Sequence, residues 1–99
     1  MRESFIEQYL VDKVKAIGGE VRKVQWIGRR GAPDRLVMLP YRPDFLPGSV
    51  IDAATIWVEL KAPGEKVKPH QAREHERMRA MGQRVVVIDS IEGVEELLR

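Results

Sequence analysis

Ninety-nine residues, 43% of them apolar and 32% charged, can build one compact domain and are too few for two. The chain has no cysteine, which excludes a disulfide framework, a thiolate metal site and a cysteine nucleophile, and no apolar stretch approaches the length that spans a bilayer. The net charge is only +2, yet residues 22 to 84 hold 13 Lys or Arg against 7 Asp or Glu, a net +6, between acidic ends.

Glu3 to Ile17 reads as an amphipathic helix, because Ile6, Leu10, Val14 and Ile17 recur at helical spacing and Gly18-Gly19 ends the pattern. Glu7 falls beside Val14 at the edge of that apolar stripe, where an acid serves either a function or a salt bridge. Nothing in this first segment has the long apolar core of an export signal, so a soluble protein that stays in the cytoplasm is expected. Val21, Val24 and Trp26 then alternate imperfectly with Arg22, Lys23 and Gln25, as in a strand with one wet face. Gly28-Arg29-Arg30-Gly31 makes a short basic loop, and Asp34 to Leu39 follows as a second strand, with Pro33 at its entrance.

From Pro40 to Ala54, three prolines and a glycine interrupt any helix, so a long irregular connection is expected there. Thr55 to Lys61 alternates cleanly. Ile56, Val58 and Leu60 share one face, and Trp57, Glu59 and Lys61 share the other. Ala62-Pro63-Gly64 stops the strand, and Pro69 sits well in the first turn of a helix to about Met81, ended by Gly82. The run Val85-Val86-Val87-Ile88, within Arg84 to Asp89, predicts a strand covered on both faces, and Ile91 to Leu98 closes the chain as a short helix. Helix, three strands, helix, strand, helix is the order of an α/β fold with a mixed central sheet flanked by helices.

A possible chemistry lies in two of these segments. Asp34 opens one strand and Glu59-Leu60-Lys61 closes the next, so neighbouring strands would bring both carboxylates to one place. Magnesium, or manganese in its stead, takes a few oxygen ligands and keeps several waters, and such an ion offsets the charge that protects a phosphodiester from attack. Asp34 and Glu59 are ligands of the right kind, the Leu60 carbonyl could add a third, and Glu7 could ligate or support from outside. Lys61 shares its face with Glu59, and its ammonium could meet the attacking water or a nonbridging phosphate oxygen. Gln71 enters the helix that follows.

Each fragment also has an ordinary explanation. Glu-x-Lys recurs by chance in a highly charged chain as a same-face ion pair, Asp after Pro marks many turns, and Gln71 could be a plain first-turn residue. His70 and His75 are five apart on their helix and share no face, so neither is placed in the site. The basic middle supplies Arg22, Lys23, Arg29, Arg30, Lys66, Lys68, Arg73 and Arg77 as candidate phosphate contacts, although an ordinary solvated surface would look similar.

The combination of Glu7, Gly31-Ala32-Pro33-Asp34, Glu59-Leu60-Lys61 and Gln71 resembles the VRR-Nuc family, the virus-type replication-repair branch of the PD-(D/E)xK nuclease superfamily. The likeness spans nearly the whole chain. It implies the restriction-endonuclease-like αβββαβ core, with Glu7 as the acid of the first helix, Asp34 and Glu59 as metal-binding carboxylates, Lys61 as the catalytic lysine, and Gln71 as the glutamine opening the second core helix. Lys68 departs from the pattern, because relatives often place a small hydroxyl residue there as the helix cap. The resemblance further implies a Mg²⁺- or Mn²⁺-dependent DNA endonuclease of branched or four-way-junction DNA, acting as a homodimer. Phe45 and Leu46 in the proline-rich connection are the first candidates for that interface. The alternative is a nucleic-acid-binding module of the same fold that cuts only with a partner domain, and a third is a structural protein whose acids are ion pairs.

Overall fold

The computed structural model describes residues 1–40 and 54–99, and within them the elements run α1 (Glu3–Ala16), β1 (Glu20–Lys23), β2 (Arg35–Leu39), β3 (Ala54–Leu60), α2 (Pro69–Ala80), β4 (Val85–Ile88) and α3 (Ile91–Leu98). The expected connection from Pro40 to Ala54, with Phe45 and Leu46, lies almost wholly outside the described residues. The expected α/β class and element order are those observed.

The apolar spacing that predicts α1 does what it should: Ile6, Leu10 and Val14 are fully buried. The helix then turns sharply into β1. Gly19 is required at this corner, since a Cβ there would lie 2.5 Å from the Met38 carbonyl of β2. At the other end of the chain Ser90 caps α3, its Oγ accepting from the Gly93 amide at 2.9 Å.

The four strands lie in the order β1-β2-β3-β4. β1 and β3 are each antiparallel to β2, and β4 runs parallel to β3, which makes the sheet mixed. On one face Val37, Ile56 and Val58 have no exposure at all and meet Ile6, Leu10 and Val14 of α1 and Val94 of α3. Each such aliphatic side chain contributes about 1.5–3 kcal/mol by leaving water, so this face holds the fold together. The other face carries α2, which packs on β4.

One expectation for β4 is corrected. The strand is at the sheet edge, and although Val85 and Ile88 are buried, Val87 remains 40% exposed. An unbroken apolar run cannot distinguish a central strand from an edge strand that a short helix only partly covers. Val24 lies past the end of β1, yet its amide still donates to the Asp34 carbonyl at 2.9 Å, so the β1–β2 pairing reaches the turn before Asp34.

Candidate active site

The strand register brings Asp34 and Glu59 together. Arg35 pairs with Val58 and Leu36 with Trp57, and continuing that ladder one step past the start of β2 sets Asp34 opposite Glu59. The alternation of β3 sends Ile56, Val58 and Leu60 into the α1 core, so Trp57 and Glu59 share the face under α2, and Lys61, expected as the last strand residue, follows just past the strand end at Leu60.

Burial pushes the Glu59 carboxyl up to about 7; the nearby Lys61 charge pulls against this, and the Asp34 carboxylate adds to it. Two carboxylates facing each other in a partly desolvated place repel, and a cation between them removes that cost. The donor set therefore suits a hard divalent ion that takes oxygen ligands and retains water. Lys61 stands at the strand end with only 8% of its side chain exposed, its ammonium 4.0 Å from Glu65. Its amide donates to the Ile88 carbonyl at 2.9 Å, which ties that end of β3 to β4.

His75 belongs to this group, contrary to the expectation that left both histidines aside. Its Nε2 lies 3.2 Å from Glu59 Oε1, and its side chain is almost wholly enclosed. Burial, assisted by the Arg79 charge, holds the imidazole below its ordinary pKa, so at neutral pH the contact is a hydrogen bond rather than an ion pair. It occupies one oxygen of Glu59. The signal was in the sequence: His75 is four residues after Gln71 and three before buried Met78, on the helix stripe that faces the sheet. The two histidines share no face of α2, but His75 by itself faces Glu59.

Glu7 has a different neighbour from the one its place in the motif suggests. The guanidinium of Arg35 bridges two acids, with Nε donating to Glu7 Oε2 at 2.5 Å, Nη2 to the same oxygen, and Nη1 2.8 Å from Asp34 Oδ1. Burial alone would lower the Arg35 pKa, but the bond to Glu7 and the charges of Asp34 and Glu7 outweigh it and raise it. Arg35 thus ties α1 to the start of β2. No three Asp, Glu or His side chains among the described residues converge closely enough to hold a metal ion by themselves. An ion here would rest on Asp34, Glu59, main-chain oxygen and water.

Gln71 shapes the beginning of α2. Its Oε1 accepts from the Lys68 amide at 2.9 Å. A lysine ammonium cannot accept a hydrogen bond, so the reciprocal contact a serine or threonine cap would make is lost and Gln71 supplies the remaining half. The expected helix start stands despite the missing hydroxyl.

The basic candidates divide into two groups. Arg22 is paired with Glu20, and Arg77 with Glu74 at 2.6 Å. Arg29 also reaches Glu74, at 3.4 Å; this acid is buried on α2 and so anchors the Gly28–Gly31 loop to the helix. By contrast Arg30, Lys66, Lys68 and Arg73 pair with no acid among the described residues. After the effect of burial, the charges of Arg30, Lys68, Arg73 and Lys61 lower the pKa of His70, so these cations act on the first turn of α2. Lys23 carries no such signature, being simply exposed at the end of β1.

No family model matches the chain. Over 90 residues it is 48% identical to Putative nuclease p44 of Acyrthosiphon pisum secondary endosymbiont phage 1, covering 91% of this chain and 85% of the phage protein. A solved VRR-Nuc domain matches it with a TM-score of 0.78 and 38% identity, over 97% of this chain and 92% of its own.

Proposed function

Since the chain belongs to the VRR-Nuc family of nucleases, we propose that it is a metal-dependent DNA endonuclease that hydrolyses phosphodiester bonds at the Asp34–Glu59–Lys61 site. The observation that carries this reading is the register that sets Asp34 opposite a Glu59 raised to about 7, with Lys61 just past the end of the same strand. Mg²⁺, or Mn²⁺ in its place, would supply Lewis acidity toward the phosphate and acidify a bound water.

Asp34 and Glu59 are the side-chain ligands, and the Leu60 carbonyl is the main-chain candidate. Lys61 offers its ammonium to the attacking water or to a nonbridging oxygen, where negative charge gathers in the transition state. His75 and Arg35 are positioning residues: the first fixes the Glu59 carboxylate from α2, and the second fixes Asp34 from α1 through Glu7. Gln71 acts by setting where α2 begins. Arg30, Lys66, Lys68 and Arg73, with the anchored Arg29, receive the DNA backbone.

Branched DNA, such as a four-way junction, is the substrate we favour, cut by a twofold homodimer. A domain this small has little room to grip more than one arm, and a second copy adds both grip and a second site. The competing reading, a module of the same fold that binds without cutting, draws on the absence of a three-acid cluster among the described residues.

Cleavage of labelled linear, flap and four-way-junction DNA, with Mg²⁺ or Mn²⁺ and with chelator, separates the two. Metal-dependent cutting by the wild type, lost in a Lys61→Ala protein that still binds, supports the nuclease; binding without cutting by both proteins supports the module. Sedimentation as monomer alone at micromolar concentration would rule out the paired-site arrangement.

A further inference from the structure

Next to the acids lies an aromatic pair that the chemistry above does not use. The chain has two tryptophans, Trp26 and Trp57, and their ring centroids are 5.1 Å apart with planes tilted by 48°. Both indole N–H groups are engaged: Trp26 Nε1 donates to the Pro33 carbonyl at 2.9 Å and Trp57 Nε1 to Gln83 Oε1 at 3.2 Å. These bonds fix both rings beside the site. Pro33 immediately precedes Asp34, and Trp57 lies two residues before Glu59 on the same face of β3.

Trp26 is 36% exposed and the next residue, Ile27, is 94% exposed. A single exposed isoleucine is ordinary, but this one directly follows Trp26 of the fixed aromatic pair and leads into Arg29 and Arg30. The loop bearing them lies against α2. Arg29 is bound to buried Glu74, and Gly31 has a φ of 88° with no room for a Cβ, which would meet the His70 carbonyl at 2.8 Å.

We propose that Trp26, Ile27 and Trp57 form a docking surface for an unpaired nucleobase of the DNA strand beside the cut. The inference rests on the nuclease reading of the neighbouring acids and deepens it by naming the substrate element that sets preference. Cations alone grip the backbone of any DNA, whereas an exposed indole face takes any base that is out of its stack. A blunt duplex offers no such base. A second copy of this chain is the other apolar partner to consider, but a twofold contact here would bring Arg29 and Arg30 of both copies together.

Tryptophan emission reads this directly, since both tryptophans belong to the surface. In chelator, where no cutting occurs, a single-stranded oligothymidylate of about a dozen nucleotides should quench emission to saturation, while a blunt duplex of equal length should leave it nearly unchanged. Ile27→Ala, a change at an exposed side chain, and Trp26→Leu should each weaken oligothymidylate binding by about tenfold, with duplex binding, followed by anisotropy, altered less than twofold. Equal quenching by the duplex, or undiminished oligothymidylate affinity in both variants, would overturn the proposal. So would emission that changes with protein concentration alone, together with a dimer that Ile27→Ala dissociates. Wild-type cutting with Mg²⁺ is measured separately, so quenching without cutting would sustain the surface and fault only the nuclease reading.

Discussion

The two faces of the sheet are built from the same strands and do opposite things. Toward α1 and α3, β3 presents Ile56, Val58 and Leu60 to a closed aliphatic core. Toward α2 it presents Trp57 and Glu59, with Lys61 just past the strand end, and Glu59 meets His75 on the helix and feels the charge of Asp34 at the neighbouring strand end. A one-residue alternation separates the two, so an untitratable core sits a few ångströms behind a carboxylate raised to about 7. Rigidity on one face is what allows unfavourable charge to be held in place on the other.

That division fixes what each substitution should do. Ile56→Ala strikes the closed face and should cost about 2–5 kcal/mol, read as a lower denaturant midpoint, while cutting per folded molecule stays near wild type. Lys61→Ala strikes the open face: cutting should fall by about 10²–10³-fold, with binding of DNA in chelator retained. Large loss of activity from the first change, or large unfolding from the second, would break the separation of roles.

Glu7→Gln tests the connection between the faces. Without the Glu7 carboxylate, enclosed Arg35 keeps only Asp34, and stability should drop by about 1–3 kcal/mol, measured by denaturant titration. Activity should fall less than in Lys61→Ala. If Glu7→Gln instead matches Lys61→Ala in lost activity with no loss of stability, Glu7 works at the metal and not through Arg35.

A smaller effect concerns pH. The Glu59 carboxyl is raised from an ordinary value near 4.5 to about 7 in the fold. A raised folded pKa means that the group favours folding while protonated; its contribution is full below the unfolded value and is lost as pH rises through about 7. Without metal, wild-type thermal stability relative to Glu59→Gln should therefore decline from about pH 4.5 to about pH 7 and level off above. A difference that stays flat across that window would remove the strained carboxylate from the account.

Much of this arrangement can be read from the residues. The β3 alternation assigns both faces, the α1 spacing assigns the core, and Asp34 with Glu59-x-Lys61 marks the pair of strand ends that meet. What escaped such reading depends on contacts across the fold. Arg35 looks like one more basic residue beside Asp34 until α1 brings Glu7 to it, and His75 looks like a surface histidine until α2 lies over Glu59. β4 reads as covered on both faces because its four residues are apolar, but how far α2 covers it is set by helix length and placement, and Val87 stays partly in water.

Calorimetric titration of Mn²⁺ into the DNA-free protein at pH 8, where Glu59 is ionised, tests the central claim most directly. Wild-type protein should bind the ion, and Asp34→Asn and Glu59→Gln should each weaken binding by at least about tenfold while remaining folded. Binding as tight in both variants as in wild type would contradict the assignment of this carboxylate pair as the metal site.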